Sequence, residues 1–157
     1  MLSATLQRHQ WRPGATNGDE GLVARFQDLT EVMVASWILG GEDERIPTFG
    51  GHFDRALRTA LEQGAFGDWG RELHFVDSRV GLRCVELPSL LNWAQRAQLT
   101  TTPDMSSSWT QVVVGARAAR LMLTDLGVAV SEATAWGKLL RTAVVEVRDA
   151  LDGELCP

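Results

Sequence analysis

LHFVDSRVGLRCVEL, residues 73–87, sets a histidine, an aspartate, two arginines, a cysteine and a glutamate inside fifteen positions. The reading of this stretch decides the fold class. A turn over residues 78–81, closed by Gly81 in a left-handed bulge, makes it a β-hairpin with strands near 72–78 and 82–87. In that register Asp77 faces Arg83, Val76 faces Cys84, Phe75 faces Val85, His74 faces Glu86 and Leu73 faces Leu87. Opposite charges meet twice and apolar residues meet elsewhere. Such pairs contribute roughly 0.2–1 kcal/mol each. A lone two-stranded ribbon is marginal in water. The face carrying His74, Val76, Leu82, Cys84 and Glu86 therefore calls for a cover: a helix, the N-terminal arm or a second copy of the chain. A homodimer is expected, with that face at or near the interface.

Helices surround the ribbon. Upstream, Leu22, Phe26, Leu29, Met33 and Trp37 recur at three- and four-residue steps and predict a helix over 19–39, stopped by Gly40 and Gly41. Phe53, Ala56, Leu57, Ala60 and Leu61 predict a second over 53–63, with Asp54 as a capping residue. Pro88 opens a third that runs to about 98. The run from 109 to 126 is apolar nearly all round, as a central, buried helix would be. Ser131 caps a last helix over 131–152, and the short connection predicts that these two pack as an antiparallel pair. The expected fold is α+β and mostly helical. It has about five helices, one central hairpin and a single globular domain over 19–157, preceded by a loose arm at 1–18.

Composition narrows the function classes. A net charge of −5 argues against a nucleic-acid surface, which needs clustered Lys and Arg. Lys138 is the only lysine among 15 basic residues, an arginine bias that GC-rich bacterial codons produce. The two cysteines, Cys84 and Cys156, form neither a disulfide framework nor a metal-binding spacing. No apolar run has the length of a signal peptide or a membrane span, so a cytoplasmic protein with no membrane partner is expected. No P-loop, dinucleotide fingerprint, hydrolase elbow or zinc pattern occurs, and neither a cofactor nor a metal is expected.

Three places can carry chemistry. His74 beside Glu86 is an imidazole oriented by a carboxylate, suited to proton transfer; an ordinary cross-strand pair is the plainer reading. Arg120 is placed by helical periodicity on the apolar side of the 109–126 segment. There it would hold an anionic group, pair with Glu146, or snorkel to water. Trp37, Trp93 and Trp109 fall on apolar stripes, where they pack the core or wall a pocket for a hydrophobic molecule. Two functions follow. One is a small cofactor-independent enzyme of bacterial secondary metabolism, acting on a hydrophobic metabolite with an anionic group by cyclase, isomerase or lyase chemistry. In it His74 and Glu86 are catalytic, and Arg120, Trp37, Trp93 and Trp109 bind substrate. The other is a non-catalytic homodimeric module that binds a protein partner or a ligand. A roomy apolar hollow touching both Arg120 and His74 favours the enzyme; a filled core with exposed apolar surface favours the module.

Overall fold

The computed structural model describes residues 18–48, 51–79, 81–102 and 109–155, with side chains over 25–48, 51–79, 81–102 and 109–150. The expected arm lies outside them, apart from Gly18, as does Cys156. The chain is α+β and mostly helical. Helix α1 (Gly18–Leu39) leads to strand β1 (Arg45–Pro47), helix α2 (His52–Glu62) and a 3-10 segment over Gly67–Glu72. Strands β2 (Phe75–Ser78) and β3 (Gly81–Cys84) form the hairpin. Helix α3 (Leu87–Arg96), strands β4 (Thr100–Thr101) and β5 (Trp109–Val112), and helices α4 (Ala116–Asp125) and α5 (Val130–Leu155) complete it. Among the described residues no helix is long and apolar enough to cross a membrane.

The core lies where α1, α2 and α5 meet, around Leu29, Val32, Phe53, Leu57, Phe66 and Leu140. The α1–α5 crossing is unusually close. A Cβ built on Gly137 would stand 1.7 Å from the backbone oxygen of Ser36, and one on Gly40 would stand 2.4 Å from the Gly137 backbone. Glycine is required here because backbone meets backbone. Arg141, one turn beyond Gly137, seals the end of α1. Its Nε donates to the Trp37 carbonyl at 2.8 Å, Nη2 donates to the Asp43 carbonyl, and the guanidinium lies 4.2 Å from the Trp37 ring centroid. Cations suit a helix C-terminus, where carbonyls lack partners.

Two expectations are corrected. The 109–126 segment is not one buried helix. Residues 109–112 form the centre of a three-stranded antiparallel sheet, ordered β1-β5-β4. Ile46 pairs with Thr110 and Thr100 with Val112. The β-branched run Thr110, Val112, Val113 and Val114 favours extended backbone, and Gly115 separates it from α4. An apolar run without periodicity suits a buried strand as well as a buried helix. Nor do α4 and α5 form a tight pair: α4 packs chiefly on α1, α5 packs on both α1 and α2, and the two touch each other little.

The hairpin is present, shifted by one residue. Phe75 pairs with Cys84, Val76 with Arg83, Asp77 with Leu82 and Ser78 with Gly81. A one-residue slip exchanges the faces of one strand. Cys84 is now buried beside Phe75, while Val85 turns outward. The contact with α2 selects this register. The Cys84 N–H donates to a carboxylate oxygen of Asp54 at 2.7 Å, and the site is buried. Asp54 therefore ties α2 to the hairpin and does not cap its own helix, whose N-cap is Gly51 at φ 78.

Candidate functional site

The His74–Glu86 contact forms, though by a route the expected register did not contain. Strand pairing ends with the Val85 N–H donating to the His74 carbonyl at 2.8 Å. Glu86 then takes helical backbone angles at the entrance to α3, which folds its carboxylate back over His74. Oε1 accepts the His74 backbone N–H at 2.6 Å, and Oε2 lies 2.8 Å from Nδ1. A carboxylate only accepts, so Nδ1 carries the proton and Nε2 of the neutral ring is an acceptor. The Glu86 side chain is 11% exposed and that of His74 is 69% exposed. The result is an imidazole of fixed orientation at the surface.

Cys84 adds no nucleophile. Burial pushes its thiol up to about 11, against weaker opposing hydrogen bonds from the backbone near Glu86 and Leu87. The thiol stays protonated at neutral pH, with Sγ 3.9 Å from Glu86 Oε1. Among the described residues no group of three His, Cys, Asp or Glu side chains is placed to hold a metal ion.

Arg120 is exposed, against the expectation of an apolar setting. Helix α4 begins only at Ala116, and its buried stripe is Ala119 and Leu123, leaving Arg120 beside it. No ion pair joins Arg120 to Glu146 among the described residues, and both are exposed. The tryptophans are likewise dispersed. Trp37 is buried, edge-on to Phe53 at 6.2 Å, with Nε1 donating to the Asp43 carbonyl at 3.1 Å. Trp109 is half-buried under the Arg45 guanidinium at 5.6 Å, and Trp93 is half-buried on α3. Of the three, Trp37 alone lines the interior hollow between α1, α2, α3 and α5.

That hollow is walled by Met33, Trp37, Ile46, Phe53, Leu90 and Leu140, among others, and holds about 20 Å³. A void of this size has room for about one water molecule. Neither Arg120 nor His74 reaches it. A larger cleft, about 240 Å³, opens at the surface between Arg25, Asp28, Asp68, Trp69 and Glu72. The Arg25 and Glu72 side chains pair across it at 3.1 Å, and Asp28 is buried at its base. Leu73, between Glu72 and His74, is extended (φ −98, ψ 130). Their Cα atoms are then about 6–7 Å apart.

Comparison with protein-family models, with curated proteins and with solved structures finds no match. Function is therefore argued from the geometry alone.

Sequence reasoning missed Arg141 and Gly137, a glycine in mid-helix. The second had a signal. A glycine inside a strongly periodic helix loses stability unless packing requires it. The role of Arg141 depends on the end of a distant helix and left no local trace.

Proposed function

We propose that this chain is a non-catalytic, homodimeric interaction module that works through the outer face of its hairpin. The observation that carries the reading is the packing among the described residues: the hollow between α1, α2, α3 and α5 holds about 20 Å³, far less than a metabolite needs. Apolar surface is instead spent outside. His74, Val76, Arg83 and Val85 share the hairpin's outer face, with Val76 49% and Val85 54% exposed. Large aliphatic side chains on an exposed ribbon suit contact with another protein surface.

One observation favours a second reading, proton-transfer catalysis. It is the His74–Glu86 contact at 2.8 Å with the imidazole exposed. In that reading the nearby 240 Å³ cleft receives a small substrate, and its charged walls suit a polar molecule. A thermal-shift screen of small metabolites, apolar, anionic and polar, separates the two. The module reading expects no compound to raise the melting temperature. A ligand at a hundred times its Kd would add roughly 2.7 kcal/mol, a shift of several degrees. A compound that stabilises the wild type and fails on His74→Gln would overturn the protein-interaction reading, and its conversion by the wild type but not by His74→Gln would establish the enzyme.

A further inference from the structure

We infer that the open edge of strand β2 is the surface by which a second copy of this chain is bound, in one defined register. The inference rests on the module reading and names the partner of that module.

The argument begins with the direction of the backbone groups. The Val85 N–H bonds the His74 carbonyl, so this pair points inward across the hairpin. Inward and outward positions alternate along an antiparallel ladder. Val76/Arg83 and Ser78/Gly81 are then also inward, while Phe75, Asp77, Leu82 and Cys84 point outward. On the β3 side the structure bears this out, because the Cys84 N–H runs outward to Asp54. Helix α2 flanks that edge, and a Cβ on Gly51 would lie 3.4 Å from the Leu82 carbonyl. Along β2 the substantial contacts are with β3 alone, and among the described residues no backbone hydrogen bond beyond the hairpin uses Phe75 or Asp77. Phe75 and Asp77 thus present N–H and C=O groups that β3 does not use. No proline, lysine or bulge within β2 guards the edge.

Unused groups on residues two apart are self-complementary about a two-fold axis. With Phe75 opposite Asp77 of the second copy, and Asp77 opposite its Phe75, every outward group on both strands is bonded. Val76 then lies on the axis against its own copy. Registers that centre on Phe75 or Asp77 leave groups unmatched. The Leu73 N–H is already taken by the Gly70 carbonyl, and Arg79 lies in the turn. The product is a four-stranded sheet in which the exposed Val76 is covered by its twin. Its strength is modest. Only three residues per strand take part, and the two Asp77 carboxylates stand about 8 Å apart, repelling by about 0.5 kcal/mol in water. Added salt should strengthen the dimer.

The test is disulfide trapping in the full chain carrying Cys156→Ser, where the remaining native thiol, Cys84, is buried. In this register Val76 and its copy form a non-hydrogen-bonded pair with Cα atoms about 4.5 Å apart, within disulfide reach. Val85 is similarly exposed on the same face but directly follows β3, away from the axis. Val76→Cys should oxidise to a covalent dimer at least about tenfold faster than Val85→Cys, since only its sulfurs are brought within bonding distance. In sedimentation, wild type should dimerise with rising concentration while Val76→Lys stays monomeric. Equal trapping rates, no trapping, or unchanged dimerisation in Val76→Lys would overturn the inference. None of these results touches the metabolite screen: a dimer that fails the trapping test overturns this register alone, and a monomer at every concentration also removes the homodimer but leaves the non-catalytic reading to the screen.

Discussion

Gly137→Ala probes the feature on which the helical core depends most narrowly. The added methyl would sit 1.7 Å from the Ser36 carbonyl oxygen and 3.0 Å from Cα of Gly40. Real Cβ contacts stay beyond 3.0 Å, so α1 and α5 must part by roughly 1.3 Å. The obstacle is backbone, and no rotamer change relieves it. Overpacking costs about 1–3 kcal/mol, and a rigid obstacle points to the upper end. Alanine returns about 1 kcal/mol of helix propensity. The net expectation is a loss of about 2 kcal/mol, a large share of a stability typically about 5–15 kcal/mol. Urea unfolding followed by tryptophan fluorescence measures it. The paired control is Gly115→Ser. Gly115 is the N-cap of α4 at φ −83 and ψ 170, with no atom within 4 Å of a built Cβ. A serine there caps the helix and should leave stability unchanged or raise it by a few tenths of a kcal/mol. If Gly137→Ala matched or exceeded the wild type, the close crossing would be wrong.

Further expectations concern the ties between elements. Arg141→Met removes two hydrogen bonds to carbonyls and the cation over Trp37, and should lower stability by about 2 kcal/mol in the same assay. Asp54→Ala strands the buried Cys84 N–H, at a cost of about 1–3 kcal/mol. Asp54→Asn, whose amide oxygen still accepts, should recover most of that loss. The Cys84 thiol is raised from 9.0 to about 11, so the folded state holds its proton more tightly than the unfolded state. That contribution is fully present below pH 9.0 and is lost as pH rises toward about 11. The urea midpoint of wild type should therefore fall more steeply over this range than that of Cys84→Ala. A parallel decline in the two proteins would contradict the assignment.

Much of the architecture was legible in local patterns. Helices α1, α2, α3 and α5 announce themselves through apolar residues at three- and four-residue steps, with Gly40, Gly41 and Pro88 as punctuation. The hairpin was visible in its alternation and its Gly81 turn. What escaped depends on distant partners. Strand β5 borders β1 and β4, which are too short to carry a period of their own, and its valines fit either a strand or a buried helix. The hairpin register looked best when its own side chains were matched across the ribbon. The structure settles it by one buried hydrogen bond to Asp54, thirty residues upstream. Arg120 was read against a helix that does not include residues 109–115, so its angular position was wrong. His74 and Glu86 meet nonetheless, because a glutamate at a helix entrance can turn back over the preceding strand.

Amide hydrogen exchange, resolved residue by residue across a dilution series, tests the central claim most directly. The N–H groups of Phe75 and Asp77 point away from β3, whereas that of Val76 is bonded within the hairpin. At low concentration Phe75 and Asp77 should exchange freely. As concentration rises they should become protected, while Val76 keeps the same rate throughout. Free exchange of both at every concentration would contradict the account, because the edge of β2 would then have no partner in a second copy.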